Sequence, residues 1–141
     1  MANIFLDTDV AFDIISKRLP YFDESVKLLE LMIEGKIVLH TSESCVANLI
    51  YLASDIYKIK GANEKLVDFL LACELISCGK QRIIEALKSP LTDKEDAVQY
   101  YTALHHGLDY FVTRNVKDYV IRHDSLPVLM PIDFNKIIDT A

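Results

Sequence analysis

The chain lacks most of the features that announce a function at a glance. Only four glycines occur in its 141 residues, and neither G-x-x-x-x-G-K-[ST] nor G-x-G-x-x-G is present, which argues against a loop that cradles nucleotide phosphates. A G-x-S-x-G nucleophile elbow is missing as well. The three cysteines, Cys45, Cys73 and Cys78, are odd in number and show no C-x-x-C spacing. Cys45 and Cys73 sit among apolar residues as buried thiols do, so neither a disulfide framework nor a zinc site is expected. The longest apolar runs, such as residues 69–73, are far too short to cross a bilayer. No basic stretch precedes the first apolar run, which meets Asp7 at once, so no secretory signal is expected and a cytoplasmic location is. Basic charge is in deficit: 15 Lys and Arg against 21 Asp and Glu leave a formal net charge of −6, without the basic stripe of a broad electrostatic grip on nucleic acid.

What is present reads as one globular domain over residues 1–141, long enough to bury a substantial core. Residues 3–6 are apolar strand formers stopped by Asp7-Thr8-Asp9, and residues 10–19 then follow helical spacing. A second helix is predicted over 23–34, ended by Gly35, with a strand at 37–39. Thr41-Ser42 can cap a third helix with Val46, Leu49, Ile50 and Ala53 on one face, before a polar stretch at 58–64. Further helices are expected over 64–73 and 81–87, with a short strand at 75–77 between them. Thr92-Asp93-Lys94-Glu95-Asp96 opens another helix that stops at Gly107. Strands at 110–113 and 128–130 complete the set. Strands alternating with helices imply a mainly parallel sheet covered on both faces, and ligands of such sheets lie beyond the carboxyl ends of the strands.

The acids fall on that rim. Asp7 and Asp9 follow the first strand, Asp96 lies in the first turn of the helix after Pro90, and Asn115 and Asp118 follow the strand at 110–113. Carboxylates converging there would repel one another, and an oxygen-seeking divalent cation is the natural compensation. Mg²⁺ keeps several waters, so few carboxylates suffice, and a phosphodiester could then be hydrolysed by water in line. An acidic chain can cut RNA in this way although it lacks a basic face.

Each residue also has a local reading. Asp7 can cap the helix after it, and Asp9 and Asp13 suit a helix amino terminus. Thr92-x-x-Glu95 satisfies a capping box, a task Asp93 can share. Thr113, Asn115 and Asp118 suit a turn after a strand, and Arg114 reads better as a solvated residue than as a phosphate contact. His105 and His106, adjacent on a helix, cannot form an i, i+4 metal pair and read as structural. Tyr100 and Tyr101 read as packing residues rather than a base-stacking platform.

Ile4-Phe5-Leu6-Asp7-Thr8-Asp9-Val10 with Asp13, then Asp93-x-x-Asp96-Ala97, then Phe111-Val112-Thr113-Arg114-Asn115-x-x-Asp118-Tyr119, resemble in this order the blocks of PIN domains, over most of the chain. The resemblance implies an α/β/α sandwich whose acidic quartet binds Mg²⁺ or Mn²⁺ and hydrolyses single-stranded RNA. Many small members are VapC-like toxins, often homodimers, neutralised by a cognate antitoxin. Carried over by position, Asp7, Asp96 and Asp118 match the metal-site aspartates, with Thr113 and Asn115 as supporting polar residues. Two departures stand out. Asn48 occupies the place of the usual glutamate on the third helix; its amide oxygen can still bind metal or water but brings no charge. Asp9 replaces a common asparagine and could restore that charge, and Glu43, a turn before Asn48, could also substitute.

Two further readings compete. A degenerate PIN domain would bind RNA or a protein without cutting, as Asn48 suggests. A phospho-acceptor signalling domain would need an aspartate after a middle strand, where His40-Thr41 stands. Leu28, Met32, Ile50 and Tyr51 could line a groove for a partner helix, and core packing is the favoured reading.

Overall fold

The computed structural model describes residues 1–120 and 122–140. Five strands, β1 (Ala2–Leu6), β2 (Ile37–Ser42), β3 (Glu74–Ile76), β4 (Tyr110–Val112) and β5 (Val128–Leu129), form one sheet in the order β3-β2-β1-β4-β5, every neighbouring pair parallel. Parallel pairing demands long crossovers, and the intervening helices supply them: α1 (Thr8–Ser16), α2 (Phe22–Ile33), α3 (Glu43–Tyr51), α4 (Ala62–Ala72), α5 (Gly79–Lys88) and α6 (Lys94–His105). A seventh helix, α7 (Pro131–Thr140), follows β5.

The period-2 alternation of the strands sorts these helices into two layers. Ile4, Leu6 and Val112 join a core with residues of α1 to α4 and Phe134 of α7. Phe5, Phe111 and Val128 face the opposite way and pack with Ala86 of α5 and Ala97, Tyr100 and Ala103 of α6. Phe5 and Phe111 stack in register across β1 and β4, with ring centroids 5.1 Å apart. The α/β/α sandwich is therefore as expected, with a sheet that is parallel throughout. Among the described residues no helix is long and apolar enough to cross a membrane.

Several boundaries differ from the sequence reading. α1 ends at Ser16 rather than at Leu19, because Lys17 takes a left-handed conformation (φ 55°) and Pro20 disfavours helix at the residue before it. α3 passes into a π-helical turn, Leu52–Ile56, that keeps Ala53 buried. α7 was not foreseen. Its signal was present in Pro131, suited to a first helical position, and in Phe134 and Ile138 at helical spacing. Ile50 and Tyr51, read as core, are about half exposed, whereas Leu28 is buried.

Candidate functional site

β1 and β4 are adjacent, so the residues that leave their carboxyl ends meet, and the Asp7 N–H donates to the Val112 carbonyl at 3.0 Å as the strands end. Asp7 does cap α1: its Oδ1 accepts from the Thr8 N–H at 2.8 Å. Its other oxygen is bound from the far side of the sheet crossover, Oδ2 accepting from the Thr113 hydroxyl at 2.8 Å and the Tyr119 hydroxyl at 2.9 Å. Only 3% of Asp7 is exposed. Burial pushes its carboxyl above the usual carboxylate range, the charge of Asp9 adds to this, and the three hydrogen bonds oppose it.

Asp9 turns toward the segment after β4. Its Oδ2 accepts from the Arg114 N–H at 3.1 Å and the Asn115 amide at 3.2 Å, and lies 3.3 Å from the Thr113 hydroxyl. Thr113 in turn accepts from the Asn115 N–H at 3.1 Å. Asp7, Asp9, Thr113 and Asn115 are thus one hydrogen-bonded unit. Burial raises the Asp9 carboxyl as well, against the opposing pull of Arg114.

Arg114 is not the solvated residue expected. Its Nε donates to Asp13 Oδ2 at 2.6 Å and its guanidinium lies 3.9 Å over the Tyr21 ring. Asp13 is fully buried, so this pair carries an internal charge and braces the segment that holds Thr113 and Asn115.

Asp96 arrives from the other helical layer. Asp93 caps α6, its Oδ1 accepting from the Asp96 N–H at 3.1 Å, so the capping box of Thr92 with Glu95 is not the device used. Burial first, then the charges of Asp7, Asp93 and Asp118, raise the Asp96 carboxyl to about 7, partly offset by the Tyr119 hydroxyl. Asp96 therefore lies near enough to Asp7, Tyr119 and Asp118 to feel each of them. Asp118 is exposed, at the end of the 3₁₀ turn Val116–Asp118. Tyr119, to which sequence reading gave no role, is fully buried with its hydroxyl on Asp7. Burial and the surrounding carboxylates push its ionisation well above the ordinary value, so it serves only as a donor. Its signal was a polar-tipped aromatic directly after Asp118 where a plain apolar residue would fill the core.

Asn48 joins none of these aspartates. Its Nδ2 donates to Glu95 Oε2 at 3.3 Å, across from α3 to α6. Glu43 is engaged elsewhere, by the Ser77 hydroxyl beyond β3, and does not stand in for the missing glutamate. Cys45 lies beneath the site with Sγ 3.2 Å from the Thr8 hydroxyl, and burial pushes its thiol up to about 11, which keeps it an unreactive packing group. His105 and His106 bind Glu85 and the Ser77 carbonyl and stay outside the site, and Tyr100 is buried with its hydroxyl on the Leu126 carbonyl.

Residues 3–117 match the family described as PIN domain. The chain belongs to the PIN-domain family. Among curated proteins none matches it significantly. Solved structures resemble its fold. The VapBC2 complex of Rickettsia felis bound to a promoter DNA fragment aligns at TM-score 0.69 and 22% identity, over 89% of this chain and 96% of that one. A DNA-bound VapBC of Salmonella typhimurium aligns at 0.65 and 18%, over 91% and 97%. The sarcin-ricin loop cleaving toxin VapC20 of Mycobacterium tuberculosis aligns at 0.61 and 12%, over 86% and 92%.

The rim of this PIN domain can be tested for fit to a cation from its own donors. Among the described residues no three acidic, histidine or cysteine side chains are placed so as to hold a metal ion together. Mg²⁺ and Mn²⁺ do not require three, since hard ions are held by one or two carboxylates with water completing the shell. Asp7, raised by burial and by Asp9, and Asp96, raised by burial and by Asp7, are oxygen donors that a positive charge would relieve. Gln99 of α6 is 3% exposed, and its carbonyl oxygen lacks a partner while its amide donates to Thr8 at 3.2 Å. A buried polar atom left open next to Asp7's neighbour suits a site that receives a hydrated ion.

Proposed function

We propose that this PIN domain is a metal-dependent endoribonuclease cleaving single-stranded RNA, the toxin of a toxin-antitoxin module. The observation that carries the reading is the buried Asp7 at the carboxyl end of β1, oriented by the Thr113 and Tyr119 hydroxyls, with Asp96 of the opposite helical layer near enough to feel its charge. Asp7, Asp96 and Asp118 would hold Mg²⁺ or Mn²⁺, whose chemistry is to polarise the phosphodiester and lower the pKa of the attacking water. Thr113 and Tyr119 fix the orientation of Asp7, and Asn115 fixes Asp9, so these side chains spend little reorganisation when substrate arrives. Asp9, whose Oδ2 accepts from Arg114 and Asn115, would orient the segment after β4 and add its charge to the site.

The toxin assignment draws on the fold shared with the VapBC and VapC structures. It brings with it an antitoxin as partner, a homodimer, a single domain over residues 1–141 and a cytoplasmic setting. The test is cleavage of a mixed single-stranded RNA with Mg²⁺ or Mn²⁺ against EDTA, with Asp7→Asn beside the parent. Metal-dependent cutting lost in the variant is expected. A folded, antitoxin-free parent that cuts under no condition would shift the reading to a degenerate PIN domain that binds RNA or protein without catalysis, for which Asn48 is the motive.

A further inference from the structure

We infer that Glu95 supplies the carboxylate that Asn48 lacks, the two residues forming a single ligand position split across α3 and α6. The inference rests on the metal-site reading above. Both helices stand over Thr8, whose hydroxyl lies 3.2 Å from Cys45 Sγ of α3 and accepts from the Gln99 amide of α6. Asn48 is three residues after Cys45, and Glu95 is four residues before Gln99. Each therefore lies one turn further along the same face of its helix. At that level Asn48 Nδ2 meets Glu95 Oε2. Two rungs join the helices: an inner, neutral one through Thr8, and an outer one that carries a charge.

The identity of both residues follows from this contact. A glutamate at position 48 would face the Glu95 carboxylate and repel it, whereas an asparagine offers the N–H that holds it. Glu95 is available because Asp93, not Thr92, caps α6, so its carboxylate does not turn back to the helix's own backbone as a capping-box residue would. Asp96, one residue later and rotated by about 100° around the helix, feels Asp7 and the Tyr119 hydroxyl, so the two consecutive acids bring charge to neighbouring parts of one rim. The negative charge missing from α3 has crossed the cleft rather than disappeared.

The test is Mn²⁺ affinity, measured by electron paramagnetic resonance on the purified protein, with thermal melting to confirm that each variant is folded. The parent is expected to bind Mn²⁺ and Asp7→Asn to lose it. Glu95→Gln should weaken binding by about tenfold or more, and the double variant Asn48→Glu/Glu95→Gln, which returns the charge to α3 and keeps an amide opposite it, should recover most of the loss. Unchanged affinity in Glu95→Gln, or no recovery in the double variant, overturns the split position while leaving the Asp7 site standing. A parent that binds no Mn²⁺, or an Asp7→Asn variant that binds as the parent does, overturns the metal reading and this inference with it.

Discussion

The two sides of the acidic rim are built differently. On the Asp7 side nearly every oxygen is spoken for: Thr8, Thr113 and Tyr119 hold Asp7, while Arg114, Asn115 and Thr113 surround Asp9. The buried Asp13, paired with the partly buried Arg114, stands behind them. On the Asp96 side the carboxylates are sparsely bonded. Asp118 is exposed, and the Asn48–Glu95 contact is a lone, exposed hydrogen bond. One side is fixed by its hydrogen bonds and the other is free to adjust. Catalytic sites need the first for preorganisation and the second for entry and exit.

The largest effect that would break this comparison comes from the fixed side. Asp7→Asn is expected to reduce metal-dependent cleavage by about 10³-fold or more in a single-turnover RNA assay, with circular dichroism unchanged. Retained activity would remove Asp7 from the site. Next, Arg114→Ala leaves Asp13 buried without its partner and should cost about 3 kcal/mol in urea unfolding, the order found when one member of a buried pair is deleted. The two effects together would separate chemistry from bracing on the same side.

Tyr119→Phe keeps the ring in its core and removes only the donor to Asp7. That donor opposes the rise of the Asp7 carboxyl, so its loss should drive the carboxyl higher and move the acidic limb of the pH–rate profile to higher pH. The loss in rate should correspond to about 1.5–3 kcal/mol, the scale of a hydrogen bond to a charged group. An unmoved acidic limb would mean that Tyr119 only packs.

The smallest effect belongs to the adjustable side and depends on pH. Asp96 has a carboxyl raised to about 7 from an ordinary 3.8, so the native state binds more protons than the unfolded chain between those values. Its contribution to stability is therefore fully present below about pH 3.8 and is lost as pH rises through about 7. Without metal, Asp96→Asn should match the parent near pH 4 and be the more stable protein at pH 8. Mn²⁺ at pH 8 should raise the melting temperature of the parent more than that of the variant. Equal pH dependence in both would show Asp96 to be solvated rather than held against its neighbours.

Sequence reading recovered those positions that local pattern fixes. Asp7, Asp9, Asp96, Thr113, Asn115 and Asp118 were placed on the right rim because each directly follows a strand or opens a helix, and strand and helix periods survive in any context. It erred where the partner is distant. Arg114 was read as solvated because nothing near it in sequence pairs with it, yet its partner Asp13 lies 101 residues away. Tyr119 was quoted at the end of the Phe111–Tyr119 block but given no role, because the carboxylate under its hydroxyl is 112 residues distant. Glu95 was assigned to a capping box, a sound local inference that Asp93 pre-empts.

The amino-acid sequence by itself determined the alternation of strands and helices, the parallel sheet that such an alternation requires, and the acids placed at its carboxyl edge, since all of these follow from periodicity, caps and the reach of crossovers. Only the tertiary structure decided which carboxylates share donors and which cation braces the buried Asp13. Those outcomes depend on strand order, with β1 seated between β2 and β4, and a hydrogen bond tolerates errors of a few tenths of an ångström that no one-dimensional pattern records.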